Sequence, residues 1–178
     1  MKTKEKILQV AEKLVMVNGF GNVTLSEIAQ NVGISAAALY KHFKNKEELW
    51  LALAKNYTDK ISAKLFPFEV ADGATQAQIV HDWLWALCEG KFLALQTEPE
   101  MFALYTEFLE DKTVANQEHS RELMASFAQA TGIENRKEIR TLFDIFAKVM
   151  NPYFVAEWDE DYQEKFERIW MVVKGFYE

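Results

Sequence analysis

Apolar residues recur at helical spacing along the whole chain. From Lys4 to Val17, Ile7, Val10, Ala11, Leu14 and Val17 return on one side with charges opposite. "NGFGN" closes this segment, because Gly19 and Gly21 can take the positive φ of a helix C-cap. Thr24-Leu25-Ser26-Glu27 is a capping box, with threonine at the N-cap and glutamate at the third helical position, and predicts a helix over 25–32. Gly33 and Ile34 turn the chain, and Ser35 caps the next helix. Ala29 is small where two helices must cross, and Ile28, Val32 and Leu39 point into a shared core. Helix, glycine turn, helix is the helix-turn-helix order. Asn45, with Glu48 three residues on, caps a fourth helix striped by Trp50, Leu53 and Tyr57.

Pro67 and "VADGAT" (70–75) interrupt the pattern. In 76–97, Ile79, Trp83, Ala86, Leu87 and Phe92 form one face and Val80, Leu84, Cys88 and Leu95 another, so this helix belongs in a centre. Further helices are predicted over 98–111, 114–132, 135–150 and 161–178, with Pro152 ending or kinking the eighth. No strand alternation, hairpin turn or repeat is visible. The expected fold is all-α, with about nine helices. A helix-turn-helix domain over 1–45 leads through a connecting helix over 46–65 to a helical body over 66–178.

Composition places the chain. Its 178 residues are 49% hydrophobic, enough for one or two domains with a real core. A single cysteine, Cys88, precludes an internal disulfide and fits a reducing cytosol. The N-terminus starts basic, but Glu5, Glu12 and Lys13 break its apolar run, and no segment reaches the ~18 apolar residues of a membrane span. A soluble cytoplasmic protein with no membrane partner is expected. The net charge of −7 is uneven: residues 1–60 carry nine lysines against six acids, while the remainder carries eleven bases against 21 acids. A basic end on an acidic chain suggests contact with a polyanion. Screening within ~8 Å lets such a patch act locally.

In the third helix Leu39 faces inward, which turns Ala36, Ala37, Tyr40, Lys41 and Lys44 outward. A helix entering the major groove wants slender residues near the bases and cations over the phosphates. Lys41 and Ser26 are candidate base contacts, and alanine packs on thymine methyls. Lys2, Lys4 and Lys6 read as a solvated terminus.

The stretch "TLSEIAQNVGISAAALYKHFKNKEEL" closely resembles the DNA-binding segment of TetR/AcrR-type transcriptional regulators. The resemblance rests on Thr24, Ile28-Ala29, Gly33-Ile34-Ser35, Leu39-Tyr40, His42-Phe43 and Lys46 before Glu47-Glu48-Leu49. It implies phosphate contacts from Thr24, Tyr40, His42 and Lys46, with Lys44 alongside, and a base-facing stretch at Ser35, Ala36 and Ala37. It further implies a double-stranded operator, a homodimer built on the last two helices, and a small-molecule effector in the helical body. The fourth helix would relay its occupancy. No cofactor or metal is implied.

The last two helices hold apolar material for two stripes, one for the core and one for a partner. Phe143, Phe146, Met150, Phe166, Trp170, Val173 and Tyr177 are the expected interface residues. Trp83, Leu87, Phe102, Tyr105, Phe108 and Trp158 are the expected lining of an apolar ligand cavity. A helical protein-binding adaptor and a small all-α enzyme are the rival classes. Against an enzyme, His42, His81 and His119 are scattered, there is no glycine-rich phosphate loop, and His81 and Asp82, ~100° apart on a helix, make a poor dyad.

Overall fold

The computed structural model describes residues 2–109 and 114–178. Among them the chain is helical, with no strand; an isolated antiparallel bridge pairs Leu65 with Phe68. The helices are α1 (Thr3–Asn18), α2 (Leu25–Val32), α3 (Ala36–Tyr40), α4 (Lys46–Ile61), α5 (Gln76–Thr97), α6 (Pro99–Leu109), α7 (Val114–Thr131), α8 (Arg136–Ile145), α9 (Ala147–Met150) and α10 (Tyr162–Val173). Two 3-10 turns, Pro152–Glu157 and Lys174–Phe176, flank α10. The expected extension of α6 to Asp111 lies outside the described residues. The chain forms two compact units, Met1–Lys60 with Ala94–Ala115, and Ile61–Leu93 with Asn116–Glu178.

In the first unit α1 buries Ile7, Leu8, Ala11 and Val15, while Val17 is 81% exposed. The buried face is therefore turned from the expected stripe toward Leu8 and Val15, and Val17 lies roughly 135° from its centre at 100° per residue. α6 packs against α1, with Phe108 edge-on to Phe20 at 5.9 Å. Near that junction Gly19, at φ 74°, ends α1 where an added Cβ would lie 2.9 Å from the Glu100 carboxylate. Lys60 joins Glu98 at 2.7 Å and Glu12 of α1 at 3.6 Å. The Glu98 carboxylate holds the Lys60 ammonium above its ordinary pKa, against the opposing cost of burial.

The second unit is built on the first eighteen residues of α5. Trp83 stacks on Phe143 at 5.7 Å and meets Phe127 edge-on at 5.1 Å. Its indole N–H donates to Ser126 Oγ at 3.1 Å, and Ser126 in turn donates to the Leu65 carbonyl at 2.5 Å. At Gly90 the helix meets the Ile61 carbonyl so closely that a Cβ would sit 2.6 Å from its oxygen. The buried Lys91 ammonium donates to the Met150 carbonyl at 2.9 Å, closing the end of α9. Tyr162 is stacked on Phe92 at 4.4 Å, and its hydroxyl reaches the Cys88 carbonyl at 3.1 Å and the Val149 carbonyl.

Two expectations change here. The single helix predicted over 135–150 is two, because the backbone leaves helical geometry at the buried Phe146 (φ −85°, ψ 3°). The described residues thus hold ten α-helices rather than nine. The helix does end before Pro152, where Asn151 turns extended and caps the following 3-10 turn. The connecting helix also stops at Ile61, short of Leu65.

Candidate nucleic-acid interface

Local chemistry sets the α2–α3 geometry. Thr24 Oγ1 accepts the Glu27 N–H at 3.2 Å, opening α2 where the capping box placed it. Gly33 closes it in the left-handed region (φ 81°, ψ 34°), donating to the Ala29 carbonyl at 3.0 Å, as does Ile34. Only glycine takes this conformation without strain. Lys6 then donates to the Val32 carbonyl at 2.9 Å, so its cation closes the C-terminal end of α2. Ser35 Oγ accepts the Ala38 N–H at 3.1 Å and opens α3.

α3 has only five residues. Phe43, fully buried, pulls the following chain inward. The next cap begins at once, with Glu48 N–H donating to Asn45 Oδ1 at 2.7 Å and Lys44 N–H donating to the Glu48 carboxylate at 2.8 Å. Lys41, His42 and Lys44 therefore lie past the helix end, in the turn between α3 and α4, rather than on an extended third helix.

Ile28, Val32 and Leu39 are buried, as their spacing demands. Thr24, Ser26, Ser35, Ala36, Ala37, Tyr40, Lys41 and Lys44 are exposed; His42 and Lys46 are half-buried. Tyr40, 52% exposed, is not a core aromatic. Among the described residues Lys41, Lys44 and Lys46 make no ion pair, though the Lys46 ammonium stands 5.5 Å over the Trp50 ring. Lys4 lies over Phe43 at 5.0 Å. Lys4 and Lys6 are thus structural, a role that no local pattern signals. Thr24 and Ser35 spend a lone pair on their caps, which leaves each O–H free to donate to a phosphate.

The remaining expected residues fall differently. Phe146, Met150, Phe166, Trp170 and Val173 are buried within the chain itself, and Phe143 and Tyr177 are half-buried. This expected interface set is the inner stripe of the final helices. The outer one carries Ile145, Met171, Val172 and Phe176, exposed by 46, 62, 78 and 84%. Trp83, Leu87 and Trp158 belong to one unit and Phe102, Tyr105 and Phe108 to the other. Trp83 and Trp158 are committed to packing, Trp158 donating its indole N–H to the Lys148 carbonyl at 2.8 Å. A cavity of about 500 Å³ lies elsewhere in the second unit, between the 65–70 turn and α7.

His81 also departs from expectation. Its Nδ1 lies 2.7 Å from Asp82 Oδ1 and its Nε2 3.2 Å from Glu167 Oε1. Adjacent residues on the helix do meet here, side chain to side chain. Both ring nitrogens thus lie within reach of carboxylate oxygens. Burial pushes the Cys88 thiol up to about 12, with Lys91 opposing, so it stays protonated and inert.

Two capped helices at a left-handed glycine, with slender residues and unpaired cations on their outer side, define a helix-turn-helix unit. Comparison with known proteins agrees. Residues 7–53 match the model for bacterial regulatory proteins of the tetR family, and residues 77–170 match the tetracyclin repressor-like C-terminal domain. The chain belongs to the tetR family of bacterial regulatory proteins. It is similar to YerO, an uncharacterized HTH-type transcriptional regulator of Bacillus subtilis, at 43% identity over 54 residues, 30% of this chain and 19% of YerO. It is 28% identical over 108 residues to the HTH-type transcriptional repressor AcnR of Corynebacterium efficiens, 59% of this chain and 57% of AcnR. The matches therefore span less than two thirds of either relative. A TetR transcriptional regulator from Rhodococcus sp. RHA1 shares the fold, with a TM-score of 0.66 at 17% identity over 94% of this chain and 95% of that one. Among the described residues no helix is long and apolar enough to cross a membrane.

Proposed function

We propose that this protein is a homodimeric repressor that binds a pseudo-palindromic operator in the cytoplasm and is released by a small-molecule effector. Residues 1–45 read the DNA, 46–65 connect, and 66–178 bind the effector and pair the subunits. The observation that carries the reading is the outer side of α2 and α3. Ala36 and Ala37 are exposed and slim enough to approach base edges, and Lys41, Lys44 and Lys46 are cations without an ionic partner among the described residues. Thr24, Ser35, Tyr40 and His42 supply phosphate contacts, and Ser26 and Lys41 reach toward bases. Two copies paired through Met171, Val172 and Phe176 would bury an apolar stripe that is otherwise wet. Their reading heads would meet half-sites ~34–36 Å apart.

The test is selection of genomic fragments by the purified full chain, then fluorescence anisotropy on the enriched fragment at several salt concentrations. Repressor function predicts tight binding that weakens steeply with salt, because neutralised phosphates release counterions. A folded sample that enriches no duplex fragment refutes the reading. Affinity that ignores salt would favour a protein-binding adaptor instead.

A further inference from the structure

The 65–70 turn is unusual for a connection, since "LFPFEV" is almost wholly apolar and connecting segments usually run polar over the surface. Phe66 and Val70 are 43 and 44% exposed, and Phe68 is half-buried. Together they form one wall of the cavity of about 500 Å³. The opposite wall is a single stripe of α7. Glu122, Ala125, Gln129 and Ala130 follow helical spacing, and the two alanines leave the space open. The floor is pinned, because Ser126 is held between the Trp83 indole and the Leu65 carbonyl. The volume falls within the ~300–1,000 Å³ of small-molecule sites.

The polar groups select the occupant. Among the described residues of the lining, Glu122 is the charged side chain. Its ion contact is with His119 at 3.9 Å, longer than a hydrogen bond. Gln129 lies seven residues further along α7, ~10 Å away at 1.5 Å per residue. A groove with apolar walls and a carboxylate at its rim, the Glu122 side chain being 55% exposed, disfavours anions and favours a cation that can also lay a ring system on the apolar wall.

We propose that this groove is the effector site and that it takes a flat aromatic amine, its ring system against Phe66, Phe68 and Val70 and its ammonium on Glu122. The proposal rests on the reading that a small molecule releases this protein from DNA. The test uses the full chain without DNA and three probes of one shape, 2-naphthylmethylamine, 2-naphthalenemethanol and 2-naphthoate, followed by calorimetry. The amine should bind about tenfold more tightly than the carboxylate. Glu122→Gln should remove that preference and leave the alcohol unchanged, while Ala125→Phe, at an exposed helical position, should abolish binding of all three. Equal binding of amine and carboxylate overturns the assignment, as does amine binding that survives Ala125→Phe. So does no binding by a sample with intact thermal unfolding. Because no DNA is present, these outcomes stand apart from failure of the DNA-binding reading. A second arm adds the enriched fragment: release by the amine supports the effector role, and retention with the amine bound overturns it.

Discussion

Gly90 offers a test in which two opposing effects can be weighed. Replacing a helical glycine by alanine ordinarily stabilises by ~1 kcal/mol, through backbone entropy. Here the new methyl would lie 2.6 Å from the Ile61 carbonyl oxygen and 3.7 Å from its carbon. That is about 1 Å inside the ~3.5–4.0 Å at which carbon atoms attract. The obstacle is backbone at the end of α4, not the tip of a flexible side chain, so it cannot rotate away. Overpacking costs ~1–3 kcal/mol, and a backbone obstacle belongs in the upper half of that range. After the helix-propensity gain, Gly90→Ala should lose about 1–2 kcal/mol. For a chain of this size each kcal/mol shifts the melting point by ~2–4 °C, so a fall of about 2–8 °C is expected. Circular dichroism melts measure it, with Gly21→Ala as the control, since nothing lies within 4 Å of a Cβ there. A Gly90→Ala protein that melts at or above the parent refutes the close approach of the Ile61 carbonyl to Gly90.

Three further outcomes follow from the same geometry. Lys44→Ala and Lys46→Ala should each weaken binding to every sequence alike and reduce the salt slope by ~0.9, read by anisotropy across a salt series; an unchanged slope removes that lysine from the phosphate contacts. Met171→Asp should convert the proposed dimer to monomer by sedimentation, whereas an equally dimeric variant shows that the outer stripe of α10 is not the interface. Burial raises the Cys88 thiol to about 12, so an aromatic disulfide reagent at pH 8 should label it only as fast as the protein unfolds. Labelling within seconds in native buffer would show an accessible thiolate.

Legibility from sequence tracked how local the physics is. The bounds of α2 were readable because both ends are written in neighbouring residues, Thr24 with Glu27 and Gly33 with Ala29. The break at Phe146 was not, since Ile139, Leu142, Phe146, Val149 and Met150 fall within ~100° on a straight helix and their pattern runs through it unbroken. Two apolar stripes on α10 were evident, but which one faces the core depends on Trp85 and Phe146 packing on Phe166 from other helices. The cavity wall at Phe66 and the stripe at Glu122 lie more than fifty residues apart in sequence, and no spacing rule joins them. The His81–Asp82 contact escaped a backbone-angle argument because side chains can converge where Cβ vectors diverge.

The Thr24 cap has a use beyond the helix it opens. One hydroxyl both accepts the Glu27 N–H and faces outward, so replacing it by alanine would confound loss of folding with loss of contact. Aspartate caps a helix as well as threonine or better, at about equal stability, yet sets a negative charge where a phosphate would come. Thr24→Asp is therefore the expected separation-of-function allele: a protein that melts like the parent and keeps the proposed pairing and ligand binding, but is electrostatically blinded to the duplex.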